Sequence, residues 1–352
     1  MRVLVVGGNG FFGRGAVQGL EAGGDEVHIG SRRGVGPRGC RIDLNDPASF
    51  ETLMGWEAVV NCADDALAPP DEAIASVLED GGTWVETTAD PRTLARLKER
   101  FAGRTGAGRL VLGVGIFPGV SGLLVAALKA QRPQLTGIDL AVRVSQLSGS
   151  GQGTAALMAR GLEHPAVFFV NGRLQEEPTV QFGPPFSFVS GQHPTVWAGL
   201  PEPLLLPESL KLRNMRSAIS PKPSFLRFNF WLLALLRPPR LLQRFYSWMN
   251  HTLLVVLRTL LMKGRSSAVE LTARGDDGSW LALSMPDGMA AGGWAVAAMT
   301  RLLVEQRPEP GLLAIEQVLV LEPVLAELQR LGGDSGLVRS AAGGGAADVQ
   351  IP

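Results

Sequence analysis

The residues best placed to do chemistry stand at the start of the chain. Gly8, Gly10 and Gly13 follow the apolar run Met1–Val6 and precede a helical pattern carried by Ala16, Val17 and Leu20. A strand that meets a G-x-G-x-x-G turn and opens a helix is an arrangement that cradles a pyrophosphate. One glycine makes the turn, one lets the backbone approach the phosphates, and one lets the helix pack on the strand. The amides and dipole of the helix start then hold the charge. Gly7 adds an overlapping G-x-x-G-x-x-G pattern. Gly8, Asn9, Gly10, Phe11, Phe12 and Gly13 form the candidate phosphate loop.

The next strand, Glu26–Gly30, runs into Ser31-Arg32-Arg33. Sites for NAD usually carry an acid there, about 20 residues past the fingerprint, to bond the ribose 2′-hydroxyl. A guanidinium instead matches a 2′-phosphate, which a carboxylate would repel. NADP is the expected cofactor and NAD stays open. The alternative is that the two arginines form a solvated turn. Asp43 ends a third strand and is read either as an acceptor from the adenine amino group or as the cap of a helix starting near Pro47. Ala58–Ala63 is a continuous apolar run, as in a strand buried on both faces. Its end, with Asn61, Cys62 and Ala63, is expected beneath the cofactor ribose.

The elements that position these residues alternate. Thr83–Thr88 and Leu110–Gly113 read as further strands, Asp71–Leu78 and Pro91–Phe101 as helices. Alternation predicts an α/β fold, a doubly wound parallel sheet with right-handed crossovers over residues 1–125. A second α+β domain is expected over 126–310, with an antiparallel sheet. Its strands are Ile138–Val144, Val167–Val170 before an Asn171-Gly172 hairpin turn, and Ser267–Ala273 paired with Trp280–Met285. Gly292–Gln306 reads as a helix. Residues 311–334 are expected to hold a closing helix, and 335–352 a low-complexity disordered tail.

The segment Gly113-Val114-Gly115-Ile116-Phe117-Pro118-Gly119-Val120-Ser121-Gly122-Leu123-Leu124 resembles the saccharopine dehydrogenase-like (saccharopine reductase-like) oxidoreductases. In that family a nucleotide-binding fingerprint is followed by a glycine–proline–glycine turn into the helix that leads to the second domain. Val59–Ala63 and Trp84–Thr88 are similar to the family's fourth and fifth strands, where Asp usually stands in place of Glu86. Gly149–Thr154 resembles its glycine-rich segment, and Ala314–Leu331 its closing helix. The resemblance implies NADP or NAD and reversible hydride transfer at a secondary amine or imine. Ser121, Ser150 and Thr154 are candidate substrate anchors, with helix capping and loop geometry as their other reading. No catalytic acid or base is assigned.

The net charge of zero hides an asymmetry. From Ser209 to Val269 there is no Asp or Glu, but eleven Lys and Arg: Lys211, Arg213, Arg216, Lys222, Arg227, Arg237, Arg240, Arg244, Arg258, Lys263 and Arg265. The same stretch is strongly apolar, with Trp231, Tyr246 and Trp248. It reads as a basic amphipathic helical hairpin lying on an anionic membrane surface. Its alternative is a homodimer interface or a pair of helices covering the domain. Arg244, His251 and Arg258 argue against a spanning helix. Nucleic acid is not an expected partner, because aliphatic surface separates the bases.

Other chemistries are excluded by composition. The single tyrosine, Tyr246, has Asn250 four residues on, so no Tyr-x-x-x-Lys pair exists. No G-x-S-x-G elbow is present. Two cysteines and four histidines have no metal spacing, so no metal is expected. Cys40 and Cys62 suggest no disulfide framework, which points to a reducing, cytoplasmic compartment, with peripheral attachment to a membrane through 209–269. The expected function is an NADP-dependent oxidoreductase acting on a small amine, imine or carbonyl substrate. The alternatives are a non-catalytic, membrane-associated NAD(P)-binding protein and a reductase of lipid-like substrates.

Overall fold

A computed structural model describes residues 1–63, 68–104, 106–145, 165–178, 181–222, 224, 268–332, 337–341 and 346–349. In chain order the first elements are β1 (Arg2–Val6), α1 (Phe11–Ala22), β2 (Glu26–Ser31), β3 (Gly39–Arg41), β4 (Ala58–Asn61), α2 (Asp71–Glu79), β5 (Thr83–Glu86), α3 (Pro91–Phe101), β6 (Arg109–Leu112) and α4 (Ser121–Gln131). Next come β7 (Ile138–Ser145), β8 (Ala166–Val170), β9 (Arg173–Glu177), β10 (Phe182–Phe188), β11 (Gly191–Trp197), α5 (Glu202–Ser209), β12 (Ser217–Lys222), β13 (Val269–Gly275) and β14 (Trp280–Met285). The chain closes with α6 (Gly288–Gln306), β15 (Gly311–Ala314), α7 (Ile315–Val318), α8 (Leu321–Arg330), β16 (Leu337–Ala341) and β17 (Ala346–Val349).

These elements form two compact units. The first comprises Met1–Ala126 and Ala290–Ser335, the second Ala127–Met289 and Gly336–Pro352. The first unit holds a seven-stranded parallel sheet in the order β15-β6-β5-β4-β1-β2-β3. Val3, Leu4, Val5, Val6, Val59 and Val60 are fully buried or nearly so, as expected of strands covered on both faces. Strand order reverses between β1 and β4, so the crevice beyond their carboxyl ends is the topological switch point where such sheets place ligands.

The sequence reading places 292–306 in the second domain, whereas packing puts most of α6 in the first unit. Gly15 and Gly19 lie one helical turn apart on α1, and Gly293 and Ala297 match them on α6. A Cβ at Gly15 would stand 3.2 Å from the Gly293 Cα, and one at Gly19 would stand 2.7 Å from the Ala297 Cβ. Only small residues allow these backbones so close. Arg301 of α6 then pairs with Asp25 and, at 2.8 Å, with Glu327 of α8. Residues 311–314, read as part of a closing helix, form β15 at the sheet edge, beside β6.

The second unit holds an eight-stranded sheet in the order β10-β11-β12-β7-β13-β14-β16-β17, and β8 and β9 form a separate hairpin. The sheet is mixed rather than antiparallel, because β7 and β12 run parallel. Asn171 and Gly172 both adopt positive φ, 52° and 77°, at the expected hairpin turn. Residues 217–222, read as part of a helical insert, are instead strand β12 between β7 and β11. Residues 225–267 of that insert lie outside the described residues. The tail expected to be disordered contributes β16 and β17, which extend the sheet from β14 through main-chain pairing. No helix among the described residues is long and apolar enough to cross a membrane.

Candidate cofactor site

The carboxyl ends of β1, β2 and β4 lie level. Val6 pairs with Gly30 on one side and with Asn61 on the other. The Gly7 amide donates to the Gly30 carbonyl at 2.8 Å, and the Cys62 amide donates to the Val6 carbonyl at 2.8 Å. The chain turns at Gly7, whose φ is +75° and whose added Cβ would meet the Cys62–Ala63 backbone at 2.8 Å. Gly8 takes a different part, packed against Ile29 and Val17, where a Cβ would stand 3.1 and 3.2 Å from their methyl groups. The turn thus follows the 7-10-13 spacing, and Gly7 is a site residue that the G-x-G-x-x-G reading leaves out.

Gly13 and Gly10 differ in kind. A Cβ on Gly13 would overlap the Gly7 carbonyl oxygen and stand 2.8 Å from the Gly8 Cα. Gly13 is therefore needed for the fold. Gly10 is exposed, has φ −69° and ψ 168°, and would meet only the Gly7 oxygen at 3.1 Å. Among the described residues, a Cβ there needs only that one oxygen to give by a few tenths of an ångström. Gly10 is the N-cap of α1, where no side chain makes a capping hydrogen bond and no acid occupies the first turn. Amides at such an end, with the helix dipole behind them, favour an anion. Asn9 and Phe11 are exposed beside it and Phe12 is half-buried. An exposed glycine against an uncapped helix end fits a phosphate-bearing group.

Ser31, Arg32 and Arg33 follow at the end of β2. The Ser31 hydroxyl accepts from the Gly34 amide at 3.2 Å and so shapes the turn. Arg32 and Arg33 are exposed. Neither pairs with a carboxylate among the described residues. Asp43 accepts from the Asn45 amide at 3.0 Å. It does not cap the next turn: Asp46 does, accepting from the Ala48 amide at 3.2 Å ahead of the 3₁₀ turn Pro47–Leu53.

At the end of β4, Asn61 and Glu86 are in register on adjacent strands, and both are buried. The Asn61 amide group donates to both Glu86 oxygens, at 3.2 and 2.9 Å, and its carbonyl oxygen accepts from the Ala63 amide at 3.1 Å. Trp84 Nε1 and the Thr88 amide donate to the same carboxylate at 3.0 and 2.9 Å. The Thr87 hydroxyl donates to the main-chain carbonyl of Asn61 at 2.6 Å. Asn61 is thus a brace that shapes the loop under the crevice, and Glu86 is the hub of that brace. In the sequence Glu86 stands out only as a departure from the pattern of the family that the segment resembles. The signal available was a polar pair at the ends of two buried strands. Burial pushes the Cys62 thiol up to about 12, with a smaller rise from nearby Glu86. Cys62 is neutral at physiological pH and offers the crevice no nucleophile.

Ser121 opens α4 and is fully buried after the Ile116–Val120 turn, which contains a cis Phe117–Pro118 bond and Gly119 at φ +132°. Ser150 and Thr154 lie outside the described residues. No group of metal-ligating side chains occurs among the described residues.

No family model matches the sequence, and a comparison with curated proteins finds no relative. Solved structures do match. A saccharopine dehydrogenase (L-Glu forming) from Saccharomyces cerevisiae aligns with 97% of this chain and 100% of its own at TM-score 0.61 and 13% identity. A DAP dehydrogenase of C. glutamicum covers 91% of this chain and 94% of its own, at TM-score 0.49 and 12% identity. An amine dehydrogenase from Mycobacterium smegmatis covers 91% and 96%, at TM-score 0.42 and 11% identity. The first of these carries the fold comparison. Along nearly its whole length, the chain has the fold of the yeast saccharopine dehydrogenase.

Proposed function

We propose that the protein is an NADP-dependent oxidoreductase acting on an amine, imine or carbonyl substrate. The observation that carries this reading is the uncapped start of α1, reached through exposed Gly10 at the switch point of a parallel sheet. Gly10, Phe11, Phe12 and Gly13 would hold the pyrophosphate, Arg32 and Arg33 the 2′-phosphate, and the Asn61–Ala63 loop the ribose, with Asp43 near the adenine. The cofactor, when bound, supplies the hydride acceptor or donor. This chain's residues supply position and an electrostatic frame. Oxidation of an amine takes a hydride from carbon and a proton from nitrogen, leaving an imine; reduction runs in reverse. The fold likeness to a saccharopine dehydrogenase supports the amine or imine class. NADPH consumption, followed with a panel of keto acids paired with amines, tests the reading. A substrate-dependent rate at least tenfold faster with NADPH than with NADH is expected. Tight cofactor binding with no turnover across amine, imine and carbonyl panels would favour a non-catalytic protein.

A second proposal concerns the basic, acid-free stretch. Two of its eleven bases are engaged within the second unit: Arg216 pairs with Glu177 at 2.7 Å and Lys222 with Glu270 at 3.0 Å. The other nine, Lys211, Arg213, Arg227, Arg237, Arg240, Arg244, Arg258, Lys263 and Arg265, remain as candidates for an anionic membrane surface. Each such base near a charged leaflet contributes about 1 kcal/mol. Co-sedimentation with anionic vesicles at low salt, released by high salt, is the expected result. Protein left in the supernatant at low salt assigns the stretch to packing or self-association.

A further inference from the structure

Four residues of the second unit form a polar row that the proposed function does not use. Ser220 on β12, Arg143 on β7, Glu270 on β13 and Ser284 on β14 stand opposite one another in register, so they share one face of the sheet. Arg143 is only 9% exposed. Its Nη1 donates to the Ser220 hydroxyl at 3.2 Å, and that hydroxyl donates to the Pro194 carbonyl at 3.0 Å. Its Nε is buried with no hydrogen-bond partner.

The neighbouring carboxylate does not complete it. Glu270 accepts from Lys222 Nζ at 3.0 Å, and from the Ser190 hydroxyl and amide at 2.7 and 3.2 Å. Ser190 Oγ also lies 2.9 Å from His193 Nε2. Because the serine proton is directed to Glu270, the imidazole Nε2–H donates to Ser190. Two cations, Arg143 and Lys222, therefore face one carboxylate that Lys222 and Ser190 already engage. The surplus positive charge is felt nearby: burial first, and then Arg143, holds His193 below the usual imidazole range. Burial would raise the Glu270 carboxyl, but hydrogen bonds from Ser190 and Lys222 hold it below the usual carboxylate range.

A buried guanidinium with an unpaired Nε–H is costly unless something completes it. With Nη1 on Ser220, the edge formed by Nε and Nη2 lacks a partner among the described residues. That edge is the planar fork that grips two oxygens of one group. We infer that the second unit binds a small ligand through a carboxylate or phosphate group seated on the Nε–Nη2 edge of Arg143, beside Lys222 and His193. This site stands on the second unit alone and does not depend on the cofactor assignment.

The full-length protein is titrated with glutarate and, separately, with inorganic phosphate, by calorimetry and thermal melting. At least one probe should bind saturably and raise the melting temperature, and the one that binds more tightly identifies the group. Arg143→Met should weaken it about tenfold or more, and Arg143→Lys should fall between. Ligand-free Arg143→Met should melt no lower than the unmodified protein, because a buried cation with an unpaired Nε–H has been removed. Three results would overturn the inference. They are failure of both probes to bind, unchanged binding by Arg143→Met, and a lower melting temperature of the ligand-free variant, which would mark Arg143 as structural.

Discussion

Gly10→Val should fold and melt close to the unmodified protein yet lose at least about tenfold in NADPH affinity, whereas Gly13→Ala should lower the melting temperature of the fold itself. The two glycines stand three residues apart in one motif, but the protein constrains them differently. A side chain at Gly13 overlaps the Gly7 carbonyl and presses on the Gly8 Cα, both backbone atoms that cannot move without shifting the turn. Overpacking of that kind costs about 1–3 kcal/mol. A side chain at Gly10 meets only one oxygen at 3.1 Å, on backbone angles that any residue adopts. The penalty at Gly10 would fall on the ligand, whose pyrophosphate could no longer approach the α1 amides. Circular dichroism and thermal melting report the fold, and cofactor titration reports the site. A Gly10→Val protein that folds and binds NADPH as before would remove the α1 terminus from the cofactor assignment.

The Arg32→Ala/Arg33→Ala double variant should lose NADPH affinity at least tenfold while NADH affinity changes little. Charge-assisted hydrogen bonds to a phosphate contribute about 1.5–3 kcal/mol each, reduced here by exposure. Both arginines are exposed and Ser31 shapes the turn between strand and arginines, so the substitution leaves β2 intact. Competition titrations of the two cofactors against both proteins measure the effect. Equal losses for NADPH and NADH would mean that the pair contacts the shared part of the cofactor or none of it.

The first unit was largely legible because its strands are buried on both faces. Val3–Val6 and Ala58–Val60 are unbroken apolar runs, and such runs with helices between them admit few topologies. The part that escaped is set by distant packing. Gly292–Gln306 reads as a helix of the second domain, and nothing in the local sequence shows that Gly292 and Gly293 let it lie on α1, nearly 280 residues earlier in the chain. Within the phosphate loop, spacing alone could not assign the positive φ to Gly7 rather than Gly8. The second unit was less legible because its strands break the usual pattern. Pro221 sits within β12, and β10 carries Pro184 and Pro185 at a shift of register. Proline in a strand argues against a strand when only sequence is in view. Arg143 and Glu270 are separated by 127 positions and meet only because β7 and β13 pair.

Equilibrium titration of the unmodified protein with NADPH and NADH decides whether the first unit is a nicotinamide-nucleotide site. Trp84 and Trp56 belong to this unit, so energy transfer from tryptophan to the reduced nicotinamide gives a signal that does not require turnover. The expected result is saturable binding of one NADPH per chain, at least tenfold tighter than NADH. Absence of saturable binding by either nucleotide would mean that the first unit is not a nicotinamide-nucleotide site, and equal affinities would rule out the role given to Arg32 and Arg33.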